Sequence, residues 1–206
     1  MSRVLALLSL LFFGCKTTQV ITPKQKIFLH EESTLITSGS DSVVMRILQL
    51  SDTKDSIILR SKSAPIKGDF TQDQELKQLI NRMHITMTSA LGVGIAAPQV
   101  GVLKQLICVQ RFDKEGFPIE FYLNPNIRQY SVKTQPCQEG CLSIANKQGN
   151  SNKRAYAILV EYDTPQGEHL IEMVEDFTAV IFQHEIDHLE GILFIDHLEA
   201  ESNSSN

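Results

Sequence analysis

The chain has 206 residues, of which 42% are hydrophobic and 21% are charged. This composition is sufficient to bury one substantial core, and it lacks the low hydrophobicity and high net charge of a disordered chain. The formal net charge of -5 gives no overall field that would attract nucleic acid or an anionic membrane surface. We therefore expect one globular domain that acts on a small or peptidic partner and does not bind nucleic acid directly.

The first segment, MSRVLALLSLLFFGCKTT, is typical of a signal peptide. Arg3 precedes ten apolar or small residues, Val4 to Phe13. A membrane-spanning helix needs about 20 apolar residues, so this run is too short to span a bilayer. Gly14 followed by Cys15 is similar to a bacterial lipoprotein signal, in which a lipid on Cys15 would attach the mature protein to a membrane. The alternative for residues 1–15 is an ordinary apolar helix packed on the domain.

The rest of the chain divides into three regions by composition. Residues 16–42 are polar and weakly patterned, which predicts a linker or a loosely packed extension. Residues 43–199 carry the regular hydrophobic patterns of a folded domain. Residues 200–206 form a polar tail.

The folded domain is predicted to begin with a strand and a long helix. VVMRILQL has strand composition, and SDTKDS after it is a turn cluster. In TQDQELKQLINRMHITMTSALG, Thr71 and Gln74 are candidates for a capping box, and Gly92 follows the end of the helix. Its apolar residues recur at helical spacing: Leu76, Ile80, Met83 and Met87. We expect this helix to pack these side chains into the core.

The second half of the domain is predicted to contain four strands and one more helix. The predicted strands are LKQLICVQRF, IEFYLNPNI, AYAILVEYD and EHLIEMV. The turn TPQG joins the last two strands. EDFTAVIFQHEIDHLEG returns to helical periodicity, with Asp176 as a candidate N-cap and Gly191 as its end. Because strands outnumber helices and hairpin connections dominate, the predicted class is α+β.

The last predicted helix carries a metal-binding pattern. His184 and His188 are four residues apart, so both side chains leave the same face of the helix and both imidazoles can bind one metal ion. Glu185 lies about 100° around the helix axis from His184, where it can contact a water activated by the metal. This H-E-x-x-H arrangement suits a hydrolase in which the glutamate transfers protons. A satisfied pair of core histidines is the alternative.

Two histidines leave a tetrahedral metal site short of a ligand, and Cys141 in QEGCLS is the candidate for the third. A thiolate is a strong ligand for Fe(II) or Zn(II), and Gly140 allows close backbone approach. Cys137 lies four residues earlier and is either a spectator or a disulfide partner of Cys141. Cys108 lies in the apolar run LICVQ and is interpreted as a small buried hydrophobic residue.

The stretch LGVGIAAPQVG, from Leu91 to Gly101, is a candidate substrate loop. Gly92 and Gly94 permit close backbone approach, and the Gln99 amide can donate a hydrogen bond to an oxyanion. The stretch lacks the third glycine of a phosphate-binding loop and follows a helix instead of a strand. We therefore exclude a nucleotide-binding function for it.

In their order along the chain, GVGIAAPQ, EGCLS and QHEIDHLEG resemble the three signature motifs of the peptide deformylase family. The resemblance extends from Met45 to His197 and includes LNP and LFIDHL. It implies mixed, mainly antiparallel β-sheets around a central metal-binding helix. It also implies an enzyme that removes the N-formyl group from the N-terminal methionine of newly made polypeptides and releases formate.

The resemblance also implies residue roles. One divalent transition metal, usually Fe(II), with Zn(II), Ni(II) or Co(II) as alternatives, would be held by Cys141, His184 and His188. Glu185 would be the general acid and base, while Gln99 and the backbone N–H of Leu142 would hold the formyl oxygen. Gly94 and Ile95 would line the groove for the formyl-methionyl peptide. The implied partners are N-formylmethionyl peptides and nascent chains, bound by a monomer.

One departure from the family leaves alternatives open. Ala145 stands where the family has proline, and a polar stretch follows Ser143 near the expected substrate entrance. There are three alternatives. The protein could be an exported protein that binds formyl peptides, a deformylase-like protein with an altered substrate range, or another H-E-x-x-H hydrolase such as a peptidase. A peptidase gives no reason for EGCLS and GVGIAAPQ, and a pure binding protein has no need of Glu185.

The expected location has two incompatible answers. Deformylation belongs with the ribosome in the cytoplasm, whereas a lipidated Cys15 would place the protein on the outer face of a membrane. Translation from Met45 is one resolution, because MRILQL is similar to the start of family members. A membrane-anchored, exported lipoprotein is the other.

Overall fold

A computed structural model describes the backbone of residues 26–204 and the side chains of residues 26–200. The predicted signal segment, with Cys15, lies outside the described residues. Among the described helices, none is both long enough and apolar enough to cross a bilayer.

Two antiparallel sheets form the strand layer of the fold. The larger sheet has five strands in the order β1, β2, β3, β6, β7: β1 (Gly94–Ala96), β2 (Leu106–Gln110), β3 (Ile119–Tyr130), β6 (Ala157–Asp163) and β7 (His169–Glu175). The smaller sheet is a hairpin of β4 (Thr134–Cys141) and β5 (Ile144–Ala155). All pairings between these strands are antiparallel. The predicted α+β class is confirmed.

Five α-helices and one 3-10 helix complete the described chain. They are α1 (His30–Thr37), α2 (Thr53–Leu59), α3 (Gln74–Ser89), the 3-10 helix (Ala97–Val100), α4 (Asp176–Leu189) and α5 (Phe194–Ser204). The four strands and two helices predicted from residue 71 onward are present, with boundaries shifted by a few residues. The β4–β5 hairpin was not predicted, because its residues are polar and lack the hydrophobic alternation of a half-buried strand.

Helix α4 is the central element. Ten of its 14 residues are buried, because it contacts β1 and β2 on one side and the β4–β5 hairpin on another. Phe182 packs edge-on against Tyr122 of the sheet, with ring centroids 4.6 Å apart. The Gln183 amide exchanges hydrogen bonds with the backbone N–H and carbonyl of Ala155. A helix fixed on several sides holds its histidines in one orientation. The N-cap position is Glu175 and not the predicted Asp176.

The segment predicted as the first strand is instead extended chain outside both sheets. The Leu48 N–H donates to the Gln99 carbonyl at 2.8 Å, and the Leu50 N–H donates to the Ser143 carbonyl at 2.8 Å. Its backbone therefore supports two loops of the candidate site. The turn predicted after it is helix α2, whose N-cap Asp52 accepts hydrogen bonds from two backbone N–H groups.

Helix α3 confirms the predicted core helix, with a different cap. Asp73 is the N-cap and accepts a hydrogen bond from the Leu76 N–H at 3.0 Å, in place of the predicted pair of Thr71 and Gln74. Met83 and Met87 are fully buried, as a packing role for these residues requires.

Residues 16–42 were expected to form a linker or a loosely packed extension, and residues 16–25 of this range lie outside the described residues. Within residues 26–42, several apolar side chains pack against the core. Phe28 and Ile36 are buried in the same apolar cluster as α3. The buried Arg82 of α3 donates to the carbonyls of Leu35, Ile36 and Val43 at 3.0, 2.7 and 3.0 Å. The guanidinium therefore ties the segment that contains α1 to α3.

Replacing Arg82 with methionine is expected to lower the free energy of unfolding by about 3 kcal/mol, because buried carbonyls lose their donors. Lys77→Met, on an exposed position of the same helix, is the matched control. Urea denaturation measures both variants. Equal stability of the two would show that the Arg82 contacts contribute nothing to the docking of α1.

Candidate active site

A cavity of about 880 Å³ opens beside α4. One wall is the stretch from Leu91 to Gly94, and the opposite wall is the β4–β5 hairpin. Glu185, His184 and Cys141 line this cavity. The three stretches singled out in the sequence therefore meet in one place.

The predicted metal ligands form a cluster, and two of them, Cys141 and His184, line this cavity. One ligand atom from each of Cys141, His184 and His188 lies within 4.8 Å of the other two. The Cys141 Sγ is 3.3 Å from the His188 Nε2. His184 and His188 share one face of α4, and Cys141 is presented by the end of β4. One thiolate and two imidazoles form a ligand set suited to a divalent transition metal with one position open for substrate.

The protonation of the cluster also fits a metal. Burial lowers the pKa of His188, which keeps this imidazole neutral as a ligand must be. Burial alone would lower the pKa of His184 too, but hydrogen bonds to Cys141 and Glu139 outweigh it and raise this pKa to about 10. Within residues 26–204, the buried His188 Nδ1 has no hydrogen-bond partner. A cation bound between these side chains would replace the proton that His184 carries.

Glu139 orients His184 and was not predicted as a site residue. Its carboxylate lies 2.8 Å from the His184 Nδ1, which directs the other ring nitrogen toward the cluster. Arg154 donates two hydrogen bonds of 2.9 Å to the same carboxylate and a third of 2.6 Å to Asp187. Burial would raise the pKa of Glu139, but His184 and Arg154 together hold it at about 2. Glu139 lies two residues before Cys141, a spacing that places both on one face of a strand once β4 is recognised.

Glu139→Gln is expected to weaken metal affinity by about 10-fold to 100-fold, because loss of a carboxylate partner leaves the ligating imidazole less basic and less well oriented. Glu115→Gln, at an exposed position, is the matched control. Competition with a metal chelator gives the affinity, and thermal unfolding of the metal-free proteins separates a folding defect from a ligand defect. Unchanged metal affinity in folded Glu139→Gln would contradict the orienting role.

Glu185 is buried in the same cavity and suited to proton transfer. Its side chain is 4% exposed, and its Oε2 has no hydrogen-bond partner among the described residues. Burial raises the pKa of Glu185 to about 7. A carboxyl with a pKa near neutrality can both accept and return a proton.

Gly94 and Ile95 have different positions, although the sequence suggested one role for both. Gly94 lines the cavity, and a Cβ at this position would collide with Glu185 and Ile181. Glycine is therefore required for β1 to approach α4 this closely. The Ile95 side chain is fully buried in the apolar cluster with α3 and does not line the cavity.

Gln99 and Leu142 lie where a carbonyl oxygen of a ligand could be held. The Gln99 Oε1 accepts a hydrogen bond from the Ala96 N–H at 2.7 Å, so the amide nitrogen points into the site. That nitrogen lies 3.6 Å from the Cys141 Sγ and 3.3 Å from the Ser143 Oγ. The carbonyl of Leu142, which lines the cavity, accepts a hydrogen bond of 3.0 Å from the Gln49 side chain. Both groups are thus held in place beside the metal ligands.

Strand β4 excludes the disulfide between Cys137 and Cys141. Four residues of extended strand separate their Cα atoms by roughly 13 Å, and a disulfide requires less than about 7 Å. Cys137 pairs with Ser151 in the hairpin, and its thiol lies 3.7 Å from Glu139. Burial raises the pKa of Cys137 to about 11, so the thiol stays protonated. The structure therefore favours the spectator role. Cys108 is fully buried.

Comparison with known proteins gives the family. The family model for polypeptide deformylase matches residues 44–204. Peptide deformylase 1 of Bifidobacterium longum is 35% identical over 181 residues, which are 84% of this chain and 81% of that protein. Peptide deformylase of Heliobacterium modesticaldum is 39% identical over 160 residues, which are 77% of this chain and 97% of that protein.

Solved structures agree with the sequence relatives. A class I type b peptide deformylase from Acinetobacter baumannii, bound to Met-Ala-Ser, has a TM-score of 0.68 and 36% identity. The match covers 76% of this chain and 99% of that one. Peptide deformylase from Thermotoga maritima has a TM-score of 0.67 and 35% identity, and covers 75% of this chain and 97% of that one.

Proposed function

This chain belongs to the peptide deformylase family, which removes the N-formyl group from new polypeptides, and we propose that Glu185 and a metal held by Cys141, His184 and His188 carry out this hydrolysis. The observation that carries the proposal is the clustering of one ligand atom from each of Cys141, His184 and His188 within 4.8 Å, beside the cavity that Glu185 lines. Fe(II) is the proposed metal, because thiolate and imidazole together suit it, with Zn(II), Ni(II) or Co(II) able to occupy the same ligands.

Glu185 moves the proton in this proposal. When bound, the divalent metal supplies the Lewis acid that lowers the pKa of water and polarises the formyl oxygen. Glu185 takes a proton from the attacking water as the water oxygen bonds to the formyl carbon. The same carboxyl then returns this proton to the leaving nitrogen as the C–N bond breaks. Formate and a free N-terminal amine are the products.

Gln99 and Leu142 stabilise the negative charge that develops on the formyl oxygen. The amide of Gln99 and the backbone N–H of Leu142 are proposed as the two donors. Both belong to segments held by hydrogen bonds, so little reorganisation is needed when the charge forms. Loss of one such donor costs about 100-fold to 1,000-fold in rate in other hydrolases.

The cavity also offers a place for the methionine side chain. Phe177, Val180 and Ile181 of α4 and Val93 line it beside Glu185, so an apolar side chain is covered next to the reacting group. The chain is proposed to bind formyl-methionyl peptides in this cavity as a monomer. The related Acinetobacter baumannii enzyme was solved with Met-Ala-Ser bound.

The test is the release of formate from formyl-Met-Ala-Ser by protein purified without oxygen and loaded with Fe(II). We expect formate and free amine in equal amounts. The acetylated peptide should react much more slowly than the formylated one. Metal-loaded protein that binds the formyl peptide without releasing formate would instead favour an exported formyl-peptide-binding protein. Cleavage of an internal peptide bond would favour a peptidase.

A further inference from the structure

The hairpin wall of the cavity carries a positively charged side chain, Lys147. Besides Glu185, the proposed general acid and base, the acidic or metal-ligating side chains that line the cavity are Cys141 and His184 of the metal cluster and Glu139, which supports His184. Among the described residues that line the cavity, Lys147 on β5 is the only lysine or arginine. The apolar wall opposite, which includes Leu91 and Phe177, carries no charge.

Lys147 is exposed at the cavity rim and available to a ligand. Across the described part of the chain, its ammonium group forms no ion pair and no hydrogen bond. By contrast, the buried Arg154 on the same strand is fully engaged with Glu139 and Asp187. A lone cation at the rim of a substrate cavity favours a ligand with a negative charge at the matching position.

The strand register gives the position of the Lys147 backbone relative to the metal ligands. Gly140 pairs with Gln148 and Cys141 pairs with Ile144, so the Lys147 backbone lies beside the end of β4 that holds the metal ligand. An extended peptide advances about 3.3 Å per residue. With the formyl group at the metal cluster and methionine next to it, the second and third residues extend toward the rim.

Contacts within the hairpin and with α5 fix the backbone around Lys147. The Gln138 amide donates a hydrogen bond of 3.1 Å to the Gln148 side chain across the hairpin. Gly149 follows immediately, and a Cβ there would collide with Leu198 of α5. The hairpin therefore packs closely on α5, and the backbone that carries Lys147 has a defined position.

We propose that Lys147 makes this enzyme prefer formyl-methionyl peptides with a carboxylate side chain at the second or third residue. This inference rests on the proposed deformylase function. An ion pair at an exposed rim is weak, so the expected preference is about 1.5-fold to fivefold and should fall as salt rises.

The test compares formyl-Met-Asp-Ala and formyl-Met-Ala-Asp with their asparagine counterparts, all with amidated C-termini so that the side chain carries the only added charge. We expect a higher kcat/KM for at least one aspartate peptide than for its asparagine counterpart. Lys147→Gln should bring that ratio to one, and Lys147→Glu should bring it below one. Lys67→Glu changes the net charge equally at an exposed position that does not line the cavity, and it should keep the wild-type ratio.

Two outcomes separate this inference from the proposed function. Turnover of the neutral peptide formyl-Met-Ala-Ala with no aspartate preference would overturn the role of Lys147 and leave the deformylase function standing. A preference lost equally in Lys67→Glu would also overturn it, because net charge and not position would be responsible. Calorimetry measures the affinity for the same peptides independently of formate release. If wild type and Lys147→Gln bind the aspartate peptides with equal affinity, the inference is contradicted even when no formate is released.

Discussion

Replacing Glu185 with glutamine is expected to reduce formate release by about 100-fold to 10,000-fold while the protein keeps its metal, because the general acid and base is removed and the ligands are not. Glutamine has the same shape as glutamate but cannot carry the transferred proton. Metal content by mass spectrometry and kcat for formyl-Met-Ala-Ser are the two measurements. The loss should appear in kcat, since the carboxylate acts on the reacting atoms.

Glu175→Gln is the matched control for this experiment. Glu175 is exposed at the N-terminus of the same helix, and its side chain makes no cap hydrogen bond. We expect this variant to keep wild-type kcat and metal content. Full activity of Glu185→Gln would mean that another group transfers the proton. Loss of metal in Glu185→Gln would instead make Glu185 part of the ligand environment.

Cys141→Ala is expected to lose tight metal binding altogether, because two imidazoles alone leave the site without its anionic ligand. Wild-type protein purified without oxygen should bind about one equivalent of metal, and the variant should retain little after dialysis against a weak chelator. Activity should be lost in parallel. The melting temperature of the wild type should rise when metal is added, and that of the variant should not, because only a ligand that binds the folded state stabilises it.

Cys137→Ala is the control for the cysteine experiment. It removes a thiol from the same strand at a position that the structure separates from the ligand cluster. We expect it to retain metal and activity, and we expect mild oxidation to produce no disulfide between the two positions. Metal retention by Cys141→Ala would contradict the ligand assignment, and metal loss in Cys137→Ala would contradict the spectator role.

The segment before residue 44 packs on the part of the chain that the family model matches. The family model matches from residue 44 onward, yet Phe28 and Ile36 are buried in the core cluster. A chain that started at Met45 would expose the surface that these side chains cover and would leave Arg82 without three of its acceptors. Residues 26–44 therefore contribute to the stability of this fold.

Local patterns in the sequence determined the elements that carry the chemistry. Helical spacing placed His184 and His188 on one face with Glu185 offset from them, and α4 has this geometry because the spacing depends only on the helix itself. Helix α3 and the strands β2, β3, β6 and β7 were also recognisable from the sequence. Helix α3 buries apolar side chains at helical period and β6 alternates along its length, whereas β2 is a continuous buried run and β7 was recognisable from its strand composition.

The tertiary structure decided where polar residues act. Glu139, Arg154 and Lys147 lie on a hairpin whose polar strands have no hydrophobic alternation, so their pairing depends on contacts with α4 and α5. The Ile95 side chain belongs to the core and not to the cavity, because successive residues of β1 point to opposite sides of the strand and Ile95 points into the apolar cluster with α3. The composition of residues 26–42 did not indicate that the carbonyls of Leu35 and Ile36 accept hydrogen bonds from the buried Arg82. Burial and hydrogen bonding between segments distant in sequence depend on the assembled fold, so the local hydrophobic periodicity of the sequence does not predict them.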